Sequence, residues 1–280
     1  MTYLIGVDGG GTGCRAVVAN EEGDVLGKGQ SGSANINTDL EGSAKNIMAA
    51  IDAAFGDAGK TPDYKNSIAV MGLAGANLGD YPELLGPRLP FTSLEIVNDG
   101  HTAHDGALNG GDGTLAIVGT GSIFALKRDG DITTIGGWGF DVGDLSSGAR
   151  LGHRLLQESL LANDGVRPET PLSKAIIAHF HGAQGLVAFA KHATPGDYGT
   201  FAPMILDHEK QGDALAEELV AWALADLDAA IRTCVEKAPG PVSFLGGLGK
   251  IFAKRLTGYD IVEAHGTALD GAILRAQRML

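Results

Sequence analysis

The sequence predicts an α/β protein with two similar domains, and three observations lead to that prediction. A glycine-rich hairpin pattern at residues 4–29 recurs at residues 115–137, the first half alternates strand-like and helix-like segments, and a third glycine turn follows an apolar run at 241–249. Similar hairpins within one chain indicate an internal repeat, and alternating strands and helices are typical of α/β sheets. Chance similarity between two glycine-rich hairpins is the alternative explanation.

The first half follows this order element by element. Each hairpin has the pattern of a strand, a glycine turn, a second strand, an acidic turn and a third strand. After the first hairpin, apolar residues at helical spacing predict an amphipathic helix that buries Ile47, Ile51 and Phe55. Two further apolar strands are predicted at 67–75 and 93–100, and a helix is expected to begin near His101.

The second half is predicted to be mostly helical between residues 149 and 237, with a strand and glycine turn at 241–249. The chain then closes with a helix. We therefore expect a first domain at 1–105 and a second domain with a helical insertion at 106–266. The terminal helix, 267–280, is expected to pack back on the first domain.

Charge and cysteine content exclude several function classes. The 280 residues contain 21 Lys and Arg against 34 Asp and Glu, a net charge of −13 that repels nucleic acids and anionic membranes. Cys14 and Cys234 lie far apart without metal-ligand spacing, so neither a structural zinc site nor a disulfide is expected. The chain shows neither a signal-peptide pattern nor a long apolar stretch, which predicts a cytoplasmic protein without membrane contact.

The glycine turns predict a phosphate-binding backbone. Residues without Cβ atoms let several N–H groups approach a phosphate, and such turns lie at the ligand-binding end of α/β strands. The chain contains no G-x-x-x-x-G-K-[ST] motif, and Gly9 to Gly13 leads into a strand rather than a helix, so the P-loop and dinucleotide-binding folds are excluded. Tight-turn geometry without a ligand remains the alternative for each turn.

Three motifs carry a family resemblance. "GVDGGGTGCRAVV" resembles the first phosphate motif of the actin-like ATPase and sugar-kinase superfamily, "IVGTGS" resembles the second, and "FLGGLG" resembles the adenosine motif. Further segments, including "GGWGFDVGDLSSGARLG" and "GTALDGAILRA", resemble the N-acetylglucosamine and glucosamine kinase branch, which belongs with the BadF/BadG/BcrA/BcrD-type ATPases. This resemblance implies two duplicated actin-like, ribonuclease H-like domains around a central nucleotide and sugar cleft.

The resemblance also implies ATP and Mg²⁺ as cofactors. Asp8 would hold magnesium through water, as suits a hard cation that bridges phosphate oxygens. The residues expected to contact the nucleotide are Gly10, Gly11, Thr12, Gly121, Ser122, Gly246 and Gly247. A plain turn aspartate, turn-capping hydroxyls and a helix-leading turn without a ligand are the respective alternatives.

Asp99 is the candidate general base. Phosphoryl transfer to an alcohol needs a carboxylate on the hydroxyl proton, and Asn98-Asp99 follows a predicted strand. An Asx turn or helix N-cap is the alternative role for Asp99.

By the same resemblance Asn35, Asp99 and Asp144 contact the sugar, with Gly137 and Trp138 shaping its pocket; a core position is the alternative for Trp138. Two positions depart from the animal acetylglucosamine kinases. Ile123 stands where they carry asparagine, and Asp144-Leu145-Ser146-Ser147 stands where they read Asp-Glu-Gly-Ser.

The leading hypothesis is an ATP-dependent kinase for the 6-hydroxyl of glucosamine or N-acetylglucosamine. Two alternatives remain open: an ATPase that activates a 2-hydroxyacyl-CoA dehydratase or benzoyl-CoA reductase, and a sugar or nucleotide sensor without turnover. The activator would need thiolates gathered for an iron–sulfur cluster, and neither cysteine has that placement. A homodimer is an expectation from the resemblance alone.

Overall fold

The computed structural model describes residues 2–77 and 79–280, and it confirms the α/β class. The described strands form two five-stranded sheets. The strands are β1 Leu4–Gly9, β2 Cys14–Ala19, β3 Val25–Ser31, β4 Ile68–Leu73, β5 Ser93–Asn98, β6 Gly113–Val118, β7 Ser122–Arg128, β8 Asp131–Gly136, β9 Val242–Leu245 and β10 Ile261–Val262.

Helices connect and cover these strands. They are α1 Leu40–Asp57, α2 Tyr81–Leu85, α3 Asp99–Ala107, α4 Gly148–Asn163, α5 Pro171–His179, α6 Ala183–Ala190, α7 Pro195–Gly199, α8 Ala202–Lys210, α9 Ala214–Lys237, α10 Gly247–Ala253 and α11 Ala268–Gln277. Short 3₁₀ turns occupy Tyr64–Asn66 and Gly86–Arg88. No helix among the described residues is both long enough and apolar enough to cross a membrane.

The two predicted hairpins are confirmed, because β1–β3 and β6–β8 each occur as three neighbouring strands. The helix expected near His101 begins two residues earlier, at Asp99, because Asn98 caps it. The short strand β10 was not anticipated, since two residues are too few to show a strand periodicity.

The first sheet has the order β3-β2-β1-β4-β5. The strands β1, β2 and β3 pair antiparallel, whereas β4 runs parallel to β1 and β5 runs parallel to β4. Successive side chains of a strand point to opposite faces, and the sheet is covered on both. One face buries the predicted α1 stripe, whose residues Ile47, Ile51 and Phe55 are fully buried. The other face packs on α11 through Ala272, Ile273 and Ala276.

Helices α3 and α11 approach each other so closely that only glycine fits at two positions. A Cβ atom on Gly106 would overlap the carbonyl oxygen of Thr267, and a Cβ atom on Gly271 would overlap that of Thr102. Because α3 begins at Asp99, this contact fixes the helix that carries the candidate base.

The second sheet has the order β10-β9-β6-β7-β8. Its main core joins the sheet to α4 and α9, and it includes Leu155, Leu219, Leu227, Ile231 and Phe252. The predicted long helix is confirmed as α9.

The chain divides into two compact units. The first contains the chain up to Leu115, Lys127–Ile132 and Glu263–Leu280, and the second contains Ala116–Leu126 and Thr133–Val262. Both units are therefore assembled from separate stretches of the chain.

A buried group of alternating charges stabilises the first unit. Asp105 on α3 is fully buried and accepts hydrogen bonds from Lys127 Nζ at 2.6 Å and from Arg275 Nη1 at 2.7 Å. Arg275 also binds Glu95 on β5 through two nitrogens, at 3.1 and 2.6 Å. Burial opposes the charge of Asp105, but the hydrogen bonds from Lys127 and Arg275 outweigh it and lower the pKa of that carboxyl.

We expect the substitution Asp105→Asn to lower the free energy of unfolding by about 3 to 5 kcal/mol, because it leaves the buried Lys127 ammonium without its anion and takes one of the two anionic partners from Arg275. Chemical denaturation of both proteins measures this. The pKa of Asp105 is depressed, so its contribution is present above the ordinary aspartate pKa and is lost as the pH falls through the folded-state value. The difference between the two proteins should therefore shrink in acid.

Glu41→Gln is the matched control, because its ion pair with Arg88 is exposed and should contribute no more than about 1 kcal/mol. Equal losses in both variants would contradict the role given to the buried group.

Candidate active site

In the first unit, two predicted site residues lie at the same edge of the sheet. Because β1, β4 and β5 are parallel and in register, Gly9 pairs with Leu73 and Leu73 pairs with Asn98. Asp8 and Asp99 therefore lie at the carboxyl ends of β1 and β5, and these two strands are two strand spacings, or about 10 Å, apart across the sheet. This edge is where α/β sheets bind ligands.

Asp8 has a partner that the sequence analysis did not identify. Its carboxylate oxygen Oδ2 accepts a hydrogen bond from the guanidinium of Arg15, which lies directly opposite it in the β1–β2 pairing. The Asp8 side chain is 16% exposed and that of Arg15 is 63% exposed. The antiparallel register of the hairpin was the signal that could have revealed this pair.

The Asp8 carboxylate fits a magnesium role by its chemistry, since Mg²⁺ prefers carboxylate oxygens and keeps waters and phosphates as its other ligands. The described residues contain no group of three or more His, Cys, Asp or Glu side chains that could hold a metal.

The first glycine turn, directly after Asp8, is open. The N–H of Gly10 donates to the carbonyl of Gly13 at 2.9 Å and closes the turn. A Cβ atom on Gly11 would meet no atom within 4 Å, and Thr12 is exposed. The turn therefore has free space beside its backbone.

Asn35 uses its side chain locally. Its Oδ1 accepts the N–H of Asn37 at 3.1 Å, and its carbonyl oxygen accepts those of Thr38 and Asp39. This Asx turn fixes the segment that leads into α1. Its predicted contact with a sugar stays a prediction.

Asp99 is the first residue of α3 and is half-buried. Asn98 is the cap of that helix, because its Oδ1 accepts the N–H of Gly100 at 3.0 Å; Asp99 Oδ1 accepts the same N–H at 2.9 Å. Burial raises the pKa of Asp99, and the negative charge of Asp8 raises it further, against the Gly100 hydrogen bond. The Asp99 carboxyl thus combines partial burial with an elevated pKa, as general bases often do.

In the second unit, the turn between β6 and β7 is held by the start of α4. The N–H of Gly119 donates to Gly121, and the first two N–H groups of α4, on Gly148 and Ala149, donate to the carbonyls of Gly119 and Thr120. The cap of α4 is Ser147, whose hydroxyl accepts the N–H of Arg150. The helix and the turn therefore form one hydrogen-bonded unit.

Asp144 lies against this same turn. Its Oδ1 accepts the N–H of Ser122 at 3.2 Å, and the Ser122 hydroxyl donates to the carbonyl of Leu145 at 2.7 Å. Asp144 is buried, and its burial raises the pKa of the carboxyl. The second unit therefore brings three predicted residues together: Gly121, Ser122 and Asp144.

Gly137 joins this group through its N–H, which donates to the carbonyl of Ser122 at 3.2 Å. It has a φ of +73°, and a Cβ atom there would lie 2.8 Å from Ile123 Cδ1. Ile123, which departs from the family pattern, thus packs on the glycine. Trp138 is 69% exposed, so the alternative of a core position is wrong.

The segment that resembles an adenosine motif follows β9. Gly246 has a φ of +84°, and a Cβ atom on it would overlap the carbonyl oxygen of Val118 at the end of β6. Gly247 begins α10, and a Cβ atom on it would meet nothing within 4 Å. The ends of β6 and β9 therefore come together at Gly246.

A cavity of about 530 Å³ opens at this place. It is lined by Gly119 and Thr120 of the second turn, by Gly247 and Leu248 of α10, and by residues of α8 that include Leu206 and Lys210. Such a volume is typical of small-molecule sites. The bare glycine backbone on two of its sides fits the close approach of a nucleotide.

Several known sugar kinases are similar to this chain in sequence. The sequence model of the BadF/BadG/BcrA/BcrD ATPase family matches residues 5–267. The glucosamine kinase GspK of Vibrio cholerae serotype O1 is 36% identical over 99% of this chain and 96% of its own length. The N-acetylmuramic acid/N-acetylglucosamine kinase of Clostridium acetobutylicum is 24% identical over 84% of this chain and 80% of its own.

One solved structure is similar along its whole length. It is a candidate N-acetylglucosamine kinase from Chromobacterium violaceum, with a TM-score of 0.87, 30% identity and 99% coverage of both chains. The actin-like sugar-kinase fold implied by the motifs is thereby confirmed.

Gly246→Ala and Gly247→Ala form a matched pair that separates folding from binding. We expect Gly246→Ala to destabilise the protein by about 1 to 3 kcal/mol from its backbone conformation alone, with the overlap at Val118 adding to that loss. Gly247→Ala should change stability by less than about 0.5 kcal/mol but weaken nucleotide binding, because its methyl group enters the cavity.

Thermal unfolding and calorimetric titration with ADP measure the two effects. Unchanged ADP affinity in Gly247→Ala would remove the cavity from consideration as the nucleotide site.

Proposed function

Since the chain belongs to the BadF/BadG/BcrA/BcrD ATPase family, we propose that it is an amino-sugar kinase that uses Mg²⁺ and ATP. It transfers the γ-phosphoryl group to the 6-hydroxyl of glucosamine or N-acetylglucosamine. The full-length similarity to a glucosamine kinase is the observation that carries this proposal. The proposal includes a cytoplasmic location, where ATP is available.

Asp99 acts as the general base. The sugar hydroxyl donates its hydrogen bond to the Asp99 carboxylate, its oxygen attacks the γ-phosphorus, the proton passes to Asp99, and the bond to the ADP oxygen breaks. The raised pKa of Asp99 makes its carboxylate a better proton acceptor than an ordinary aspartate. Its fixed position at the start of α3 supports this role, because alignment is a large part of phosphoryl transfer.

Asp8 would hold magnesium beside the first glycine turn. Bound magnesium supplies positive charge to the phosphate oxygens. The Arg15 guanidinium next to Asp8 limits the mutual repulsion between that carboxylate and an incoming anion. Gly10, Gly11 and Thr12 present the open turn to the phosphates.

The cavity of the second unit takes the nucleoside. Its glycine-lined walls at Gly119 and Gly247 admit the ribose and base, and the turn up to Ser122 takes the phosphates. Asn35 and Asp144 contact sugar hydroxyls in this proposal, with Gly137 and Trp138 beside them.

The rival activator ATPase is disfavoured by the cysteines. Cys14 and Cys234 are both buried, and burial raises their thiol pKa to about 12 and about 11. A cluster ligand has to be accessible to iron, whereas both of these thiols are buried. The non-catalytic sensor remains a rival, because binding residues alone do not require turnover.

The deciding experiment measures ADP release from Mg-ATP with glucosamine, N-acetylglucosamine, N-acetylmannosamine, glucose or no sugar. We expect stimulation by one amino sugar, and a loss of about 10²- to 10⁴-fold in kcat in Asp99→Asn. The exposed Asp129→Asn is the control and should keep full activity. Hydrolysis without any sugar would favour the activator, and nucleotide binding without ADP release would favour the sensor.

The pH profile tests Asp99 independently. Protonated Asp99 cannot accept a proton, so kcat/KM should fall as the pH falls, with an apparent pKa above that of an ordinary aspartate. A carboxyl ¹³C titration by NMR should give Asp99 the same elevated value. In Asp8→Asn that value should decrease, because a neighbouring negative charge is removed. An ordinary aspartate pKa at Asp99 would contradict the assignment.

A further inference from the structure

The N–H of Ser122 has an anionic acceptor within the chain itself. Asp144 Oδ1 accepts that N–H at 3.2 Å, and a Cβ atom on Gly121 would lie only 3.0 Å from Asp144 Oδ2. The carboxylate therefore lies over the part of the turn where the proposed function puts phosphate oxygens. Two anions do not occupy one N–H donor together, because like charges at such distances repel strongly.

We propose that Asp144 competes with the nucleotide phosphate for the Ser122 N–H and is withdrawn from it by the amino sugar, so that the sugar strengthens nucleotide binding. This inference rests on the proposed function. The competing groups are both oxyanions, and a sugar hydroxyl is the donor that Asp144 gains when it loses the Ser122 N–H. Each hydrogen bond that breaks is thus replaced by another.

The backbone around Asp144 favours a change confined to its side chain. Asp144 and Ser146 have φ values of +57° and +62°. Aspartate tolerates this backbone conformation better than most residues do. Ser146 is anchored, since its buried hydroxyl donates to the carbonyl of Ala223 at 2.7 Å. Ser147 is fixed as the cap of α4. Asp144 therefore stands directly before an anchored segment, and its carboxylate can change partner while the chain after it stays in place.

The hydrogen bond of the Ser122 hydroxyl keeps the turn in place during this exchange. The hydroxyl donates to the carbonyl of Leu145. The turn therefore stays bound to the loop when the Asp144 carboxylate gives up the Ser122 N–H. The expected coupling factor is in the usual range for two ligands of one protein, about 5- to 150-fold. Without sugar, weak nucleotide binding limits wasteful hydrolysis.

The test measures the dissociation constant of Mg-AMPPNP by calorimetry, with and without glucosamine or N-acetylglucosamine. In the unchanged protein we expect the amino sugar to tighten binding at least about fivefold. In Asp144→Asn, which removes the charge and tolerates the positive φ, binding without sugar should already be tighter by a similar factor. Asp141→Asn, an exposed carboxylate of the same loop, is the control and should behave like the unchanged protein.

Weaker or unchanged AMPPNP binding in Asp144→Asn would overturn the proposal. The Asp144 carboxylate would then stabilise the turn instead of competing with the phosphate for the Ser122 N–H. A second measurement needs no variant: the amide NMR signal of Ser122 should shift when the amino sugar is added alone, and a signal that stays in place would also overturn it. Neither readout requires phosphoryl transfer. The failure of every sugar to be phosphorylated would count against the proposed kinase, whereas nucleotide affinity in Asp144→Asn tests the competition alone.

Discussion

Backbone pairing between buried strands is the constraint on which the candidate site residues of both units depend. The register of β1, β4 and β5 puts Asp8 and Asp99 at one edge of the first sheet. In the second unit, Gly246 follows β9 where its backbone touches the end of β6. Neither arrangement depends on long side chains, because hydrogen-bonded backbone fixes the positions. The side chains that do the proposed chemistry are short, and they inherit this rigidity.

The sequence predicted the elements well because their signals are local. Apolar runs, glycine turns and helical spacing identified both hairpins, α1 and α9, and the three nucleotide motifs identified the family. The pairings were harder to predict. To predict the hydrogen bond between Arg15 and Asp8, the register of the hairpin has to be known. The hydrogen bond between Ser122 and Asp144 joins residues that are more than twenty positions apart in the sequence. Pattern and propensity describe one segment at a time, whereas these contacts come from how segments fold together.

A chain with a net charge of −13 must bind an anionic nucleotide against its own field. The structure meets this demand locally rather than globally. At the second turn the Ser122 N–H is a backbone donor for the expected phosphates, Lys210 lines the adjacent cavity, and at the first turn Arg15 places a cation beside Asp8. Backbone dipoles attract phosphate without changing the net charge of the chain. The negative surface and an anion site are therefore compatible.

The packing of α11 on the first sheet has a consequence for the order of biosynthesis. Residues 268–277 leave the ribosome after the whole second unit has been made, yet they cover Leu4, Val17 and Val70 in the first. Until then, that sheet face is apolar and bare in the nascent chain, and such surfaces attract chaperones or other nascent chains. The second unit is encoded within the first and can fold during translation, while the first unit is completed only afterwards. The unit to which the first residues of the chain belong is thus the last to be completed.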